Sequence, residues 1–417
     1  MLLLHAADLH LGKTLHESDL HDEQKAMLDD LLAVAEARRP TALLLAGDLY
    51  DRAIPSPSAL DLFDGFLDGL LEAVPGITVV AIPGNHDSAA RLAFGAGLFR
   101  RAGVHFRLRL ADADQPVMIR GGSEGRWESC AVWALPFLGA GSEEATSSEG
   151  GPSVPRGQAE RFAAALGGIV PGLQPDSYNV LLAHCFAAGG RSSESERGFV
   201  GLAEEVDARL FDAFDYAALG HLHRPQAAGS KGAYSGAPLA YSFGEAGRVV
   251  VEAGGAARLA EAVPERGFLL VELGPGGAER EFLPHRPRRR MVRVEGAFVD
   301  LAAAGILEEW RDDFVEVRLT DADPVLDPAD RLKRGFPHLL SVHQSAFEIR
   351  AASPGGGSSG GADLPGGDRG GGSDPRDPLR LIEDFRLFHR EMRGEEPGAE
   401  DLALLSSLVE EAVHETD

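Results

Sequence analysis

Ile77-Thr78-Val79-Val80-Ala81-Ile82-Pro83-Gly84-Asn85-His86-Asp87 is a β-branched apolar run that stops at a Pro-Gly turn. Such a run reads as a buried strand, and the turn then presents an amide, an imidazole and a carboxylate together at its C-terminal edge. In open α/β sheets, ligands bind at that edge. Asn and Asp are also ordinary turn residues, so the motif gains weight only if other strands end the same way.

They do. Leu2-Leu3-Leu4-His5-Ala6-Ala7 runs into Asp8-Leu9-His10, where residues two apart share a face. Ala42-Leu43-Leu44-Leu45-Ala46 ends in Gly47-Asp48-Leu49-Tyr50-Asp51-Arg52. Between these runs the pattern turns helical. Leu20, Leu28, Leu31, Leu32 and Ala35 mark a helix over 18–38, and Ser56-Pro57 opens another with Leu60, Phe63, Leu67 and Leu70 inward. Strand, helix, strand, helix, strand predicts an α/β sheet with its site at the strand ends. A helix is expected at 88–101, shorter strands near 103–108, 115–120 and 130–135, a Gly/Ser/Glu-rich loop at 139–156, and a helix near 157–168. Tyr178-Asn179-Val180-Leu181-Leu182-Ala183 leads into His184, and Tyr216-Ala217-Ala218-Leu219 into Gly220-His221-Leu222-His223. Further strands are expected at 232–236, 248–252 and 268–273.

From 288 the pattern is strand (288–295), helix (298–310), strand (313–319), helix (328–335), strand (338–345), enough for a small α+β domain. Residues 351–378 are dominated by Gly, Ser, Asp and Pro and read as a flexible linker. Beyond it Leu381, Phe385, Phe388 and Met392 form an apolar helical stripe, followed by a second around Leu402, Leu405, Leu408 and Val409. Two tethered helices without a core of their own suit a partner protein. The expected boundaries are 1–285, 286–350, 351–378 and 379–417.

Composition narrows the possibilities. The 417 residues carry a net charge of −25, which excludes a free-standing electrostatic binder of nucleic acid or anionic membrane. The dense basic cluster, His285-Arg286-Pro287-Arg288-Arg289-Arg290 with Arg293, reads either as a phosphate contact or as solvated charge at a domain junction, the second being favoured. Two cysteines, Cys130 and Cys185, exclude a disulfide framework and fit a reducing compartment. No apolar run approaches a membrane span, and a cytoplasmic protein is expected.

The strand-end residues are Asp8, His10, Asp48, Asn85, His86, His184, His221 and His223. Mixed oxygen and imidazole donors suit Mn²⁺, Fe²⁺ or Zn²⁺ and not Ca²⁺, and the lack of thiolates excludes a structural zinc cage. A carboxylate bridging two such ions would hold them roughly 3.5–4 Å apart, the geometry that clamps attacking and leaving oxygens in phosphoryl chemistry. A His outside the ligand set could protonate the leaving oxygen.

Asp8-x-His10, Gly47-Asp48, Gly84-Asn85-His86-Asp87, His184 and Gly220-His221-x-His223 together resemble the five-part signature of the calcineurin-like metallophosphoesterases. The resemblance implies a four-layer sandwich, two sheets flanked by helices, with Asp8, His10 and His223 on one metal, Asn85, His184 and His221 on a second, and Asp48 bridging. His86 would be the acid or transition-state stabiliser. Asp51, which stands where some relatives carry a second catalytic His, joins it as a catalytic candidate. Within the superfamily, Asp8-Leu9-His10-Leu11-Gly12-Lys13, Gly220-His221-Leu222-His223-Arg224-Pro225-Gln226, Tyr234-Ser235-Gly236-Ala237-Pro238-Leu239 and Ser242-Phe243-Gly244-Glu245 resemble the SbcD family. That implies a capping domain at 286–350, and a helix pair at 379–393 and 399–414 that grips the coiled-coil base of an SbcC-type ATPase. It also implies a homodimer within a heterotetramer associated with the nucleoid. The expected activity is Mn²⁺-dependent exo- and endonucleolytic cleavage of double-strand DNA ends and hairpins, with two Mn²⁺ (or Mg²⁺, Fe²⁺ or Zn²⁺). Two alternatives are a phosphatase or small-molecule phosphodiesterase on the same scaffold, and a non-catalytic DNA-bridging scaffold. Gly47-Asp48-Leu49-Tyr50-Asp51-Arg52 is similar to protein phosphatases, which however usually follow Gly-Asn-His with Glu where Asp87 stands. The complete ligand set argues against the scaffold.

Overall fold

A computed structural model describes residues 1–123, 126–138, 157–190, 205–303, 308–345 and Gly398. The chain divides into two units, Met1–Pro354 and Gly355–Asp417. The linker and the helix pair expected at its C-terminal end lie outside the described residues, as does the loop at 139–156.

Two six-stranded sheets form the first part of the chain. One orders Gly277–His285, Arg266–Gly274, Leu2–Ala6, Ala42–Ala46, Thr78–Ile82 and Val104–Phe106; the last four run parallel. The other orders Gln226–Ala228, Gly232–Tyr234, Tyr216–Gly220, Tyr178–His184, Arg126–Leu135 and Val117–Ser123, with a parallel centre. Alternation along each strand divides its side chains between two apolar layers. Leu44, Ala46, Val80 and Ile82 meet Val132, Val180, Leu182 and Ala218 between the sheets. On the outer face of the first sheet, Leu43, Leu45, Val79 and Ala81 meet the helices His21–Arg38 and Pro57–Ala73 through Met27, Leu31, Phe63 and Leu67. On the outer face of the second, Leu181 and Ala217 pack with Phe162 and Leu166 of the helix Gln158–Ile169. The result is the four-layer sandwich.

Some elements depart from expectation. Leu60 is exposed, and Phe66 takes its place on the buried face of its helix. The helix expected over 88–101 is two short ones, Ala89–Leu92 and Ala96–Arg101, parted by Gly95 at φ +74°. The helix expected over 298–310 survives as Phe298–Leu301 and a 3₁₀ turn at Glu308–Trp310. Strands Ala257–Glu261 and Gly277–His285 carry so many exposed polar residues that no apolar run announces them.

A third sheet orders Ala257–Glu261, Gly247–Val251, Met291–Gly296, Phe314–Leu319 and Leu339–Gln344. It therefore draws two strands from before residue 286. Val249 and Val251 pack with Val292, Val294, Val315 and Val317 under Phe298, Trp310 and Phe336, so the small core is built from both sides of the Arg266–His285 hairpin. The basic cluster lies at the junction, and Arg288, Arg289, Arg290 and Arg293 are ion-paired. Arg288 meets Asp22 at 3.0 Å and Arg289 meets Glu23, both on the helix His21–Arg38, while Arg290 meets Asp313 at 2.7 Å and Arg293 meets Glu316 at 2.5 Å.

The two sheets come into close contact at the strand ends. A Cβ on Gly220 would lie 1.9 Å from the Ala46 carbonyl oxygen and 2.9 Å from His184 Nδ1. Nearby, His5 is fully buried and hydrogen-bonded to the Tyr216 hydroxyl at 2.9 Å, and burial drives its pKa down to about 3. Gly220→Ala should lower stability by about 1–3 kcal/mol, read from urea unfolding, because backbone must move to admit the methyl. His5 takes up its proton near 6.5 when unfolded and near 3 when folded. Its contribution is therefore complete above about pH 6.5 and is lost as pH falls towards 3. His5→Gln should flatten the stability–pH slope between pH 4 and 6 by up to about 1.4 kcal/mol per pH unit, one proton's worth.

Candidate metal centre

Buried strands deliver every expected residue to one edge. Asp8, His10, Asp48, His184, His221 and His223 are all buried, with Asn85 and His86 half-buried beside them. The loops after Leu2–Ala6 and Ala42–Ala46 run side by side: His10 N donates to Asp48 O at 2.9 Å and Leu11 N to Leu49 O at 2.9 Å. Asp8 (φ 55°), His10 (φ 43°), Asp48 (φ 48°) and His221 (φ 105°) all occupy left-handed backbone. Non-glycine residues hold such angles only where the surroundings over-determine them, as at functional sites.

The donor atoms converge. Asp8, His10 and His223 place one donor each within 4.8 Å of one another; so do Asp8, Asp48 and His184, and so do His10, Asp48 and His86. Asp48 Oδ2 lies 3.7 Å from His10 Nε2 and 3.5 Å from His184 Nε2, while its Oδ1 accepts from His86 N at 2.9 Å. Asn85 Oδ1 sits between His184 Nε2 at 3.0 Å and His221 Nδ1 at 3.1 Å. Asp8 accepts the His221 N–H at 3.0 Å.

Tautomers decide what this cluster wants. His184 Nδ1 donates to Ala46 O at 2.8 Å, and His223 Nδ1 to Glu245 Oε1 at 2.9 Å. Each ring therefore turns an Nε2 lone pair inward. His184 Nε2 then faces the Asn85 and Asp48 oxygens, and His223 Nε2 faces His10 Nε2 at 3.2 Å. The His184 Nε2 lone pair, turned on the Asn85 and Asp48 oxygens in a buried pocket, meets repulsion there unless a cation lies between, so the residues fit divalent metal ions. Burial keeps the imidazoles neutral and ready to ligate: it drives His10 down to about 4, His221 to about 3, and lowers His184. Burial works against ionisation of Asp48, but the polar groups around it, the His86 N–H among them, hold the carboxyl below its ordinary value.

Asp51 stands one step back. Its carboxylate lies 3.6 Å from His10 Nδ1 and accepts from Lys13 Nζ at 2.6 Å, which together outweigh burial and hold it below the usual carboxylate range. Its carbonyl accepts from His86 Nδ1 at 2.8 Å. Asp51 thus braces His86 through its carbonyl and places a negative charge beside His10.

Other groups support the centre in ways that the motif pattern does not announce. Asp87 staples two motif loops, accepting from Leu49 N and Gly84 N at 3.0 Å each and from Tyr50 N at 2.9 Å. Gln24, on the apolar stripe between Leu20 and Leu28, donates to His10 O at 2.6 Å and accepts from Gly12 N at 2.9 Å. Gly84 leaves room for Asp48, whose Oδ1 would lie 2.2 Å from a Cβ there.

Comparison with known proteins agrees with this geometry. The family model described as calcineurin-like phosphoesterase matches residues 1–225, more than half of the chain. The chain is 29% identical over 355 residues to the SbcD component of nuclease SbcCD from Staphylococcus epidermidis, covering 84% of this chain and 86% of that protein. Among solved structures, GAP50 of the Plasmodium inner membrane complex aligns over 69% of this chain and 88% of its own at 12% identity and a TM-score of 0.39. TT1561 of Thermus thermophilus aligns over 67% and 98% at 15% identity and a TM-score of 0.35. No helix among the described residues is long and apolar enough to cross a membrane. Motifs, four-layer architecture and the match over residues 1–225 agree: the chain belongs to the calcineurin-like phosphoesterase family, and its likeness to the staphylococcal SbcD protein supports the SbcD branch within it.

Proposed function

We propose that this chain is the nuclease component of an SbcCD-type complex, cutting DNA phosphodiesters at double-strand ends and hairpins with two Mn²⁺ per chain. The observation that carries the proposal is the convergence of the donor atoms of Asp8, His10, Asp48, Asn85, His184, His221 and His223 at one edge. It is supported by likeness to a nuclease component over 84% of the chain.

Asp8, His10 and His223 would hold one cation, Asn85, His184 and His221 the other, and Asp48 would lie between them. When bound, the pair supplies charge neutralisation of the phosphate and a water acidic enough to attack near neutral pH. The protein's part is to hold these ligands rigid in a buried pocket, where charge is felt strongly. His86 Nδ1–H donates a hydrogen bond to the Asp51 carbonyl, so Nε2 is the atom that would, when the ring is doubly protonated, pass a proton to the leaving oxygen.

The chain's charge of −25 repels DNA, and Arg288, Arg289, Arg290 and Arg293 are engaged with acidic side chains of the same chain. DNA engagement therefore rests on the bound cations and on a partner. The segments 379–393 and 399–414, expected from the sequence to be helical, are assigned to a coiled-coil ATPase of the SbcC type, in a complex with two copies of each chain working in the cytoplasm.

The full chain, incubated with the partner ATPase and Mn²⁺, should shorten end-labelled linear duplex DNA, and EDTA should abolish the reaction. His86→Ala should lower kcat by about 10²–10⁴. Intact DNA beside rapid turnover of an aryl phosphodiester, with the partner present, would replace the proposal with a small-molecule phosphodiesterase.

A further inference from the structure

One carboxylate behind the centre has no part in the chemistry proposed so far. Glu245 ends the 3₁₀ turn Phe243–Glu245 and is 1% exposed. Its Oε1 accepts the His223 Nδ1 proton at 2.9 Å, and its Oε2 accepts from Tyr241 N at 3.1 Å and meets Arg266 Nη2 at 3.0 Å. Arg266, 6% exposed, opens the strand Arg266–Gly274. Its Nη1 donates to the carbonyls of His223 and Ala237 at 3.2 Å and of Leu239 at 3.1 Å. The guanidinium thus holds the carboxylate on one side and the backbone of the histidine motif on the other.

The two halves of the centre are braced differently. Behind Asp8, His10 and His223 one carboxylate is hydrogen-bonded, Glu245 at 2.9 Å from His223, and a second, Asp51, lies 3.6 Å from His10 Nδ1, which has no hydrogen-bond partner among the described residues. His184 is instead braced by the neutral Ala46 carbonyl. His221 turns Nδ1 to the neutral Asn85 amide oxygen at 3.1 Å, and its buried Nε2 has no hydrogen-bond partner among the described residues. A carboxylate on the far nitrogen fixes the tautomer, aligns the ring and makes the imidazole a stronger donor. A backbone carbonyl does the first two and adds less to basicity.

We infer that Glu245, held by Arg266, is a positioning residue that sets the affinity of the Asp8–His10–His223 cation position and makes it the tighter of the two. This rests on the two-cation reading. The order of loading follows: the carboxylate-backed position fills first as Mn²⁺ is raised, and the position of Asn85, His184 and His221 fills second.

The test is Mn²⁺ titration of the metal-stripped full chain, followed by calorimetry and by electron paramagnetic resonance of bound Mn²⁺. Wild type should show two unequal steps. Glu245→Gln, which keeps shape and an acceptor but removes the charge, should weaken the tighter step about 10–100-fold and leave the other within about twofold. Glu245→Ala, which also frees the ring, should weaken it further. Because a lone buried Arg266 could unfold the chain, the double variant Glu245→Gln/Arg266→Gln, which removes both charges, is run beside them and should show the same selective loss. Unchanged tighter binding in Glu245→Gln, or equal weakening of both steps, overturns the inference, the latter being what a purely structural role produces. A wild type with a single step refutes the two-cation reading, and Glu245→Gln still decides the role of Glu245 by whether that step weakens.

Discussion

The centre exists because two sheets come within van der Waals contact at their strand ends. Gly220 lies against the Ala46 carbonyl so closely that no side chain fits, and the same carbonyl takes the His184 Nδ1 proton across the gap. One sheet supplies Asp8, His10, Asp48, Asn85 and His86; the other supplies His184, His221 and His223. Neither sheet carries a complete ligand set. The apolar layer of Leu44, Val80, Val180 and Ala218 holds them face to face, and the distance between donors is inherited from that packing.

How much of this is legible in the sequence follows from where each residue sits. The donors stand immediately after buried runs, so strand periodicity is enough to locate them, and the α/β alternation comes from the same runs. Glu245 is invisible by that route: it lies in the quoted Ser242-Phe243-Gly244-Glu245 segment, but only the turn there brings its carboxylate back to His223. Asp87 closes the opening motif in sequence, yet its work is done on Leu49 and Tyr50, nearly forty residues away. Gln24 is legible in principle, as a polar residue on an apolar stripe. Leu60 fails the other way, an apolar residue at a plausible helical spacing that faces water while Phe66 packs.

The basic cluster shows why local charge is a poor guide to ligands. In sequence it is the dense positive segment of an acidic chain; in the structure its arginines tie the small five-stranded domain to the helix His21–Arg38 and to its own strands. The cluster does sit at a junction, but Arg289 and Arg293 are paired with the buried carboxylates of Glu23 and Glu316, so the charge is neutralised within the chain more than it is solvated.

The order of strands also sets a timetable for synthesis. Leu2 pairs with Glu272 in the finished sheet, and the strand carrying Glu272 is itself flanked by Gly277–His285. The strand Leu2–Ala6, which leads directly to Asp8 and His10, is thus made long before its antiparallel neighbour and completed late. At translation speeds of about 5–20 residues per second it waits roughly 15–50 s for its antiparallel neighbour. Through that interval Leu3 and Leu4 have one finished edge and one open, and the nascent chain needs protection there from pairing with the wrong strand.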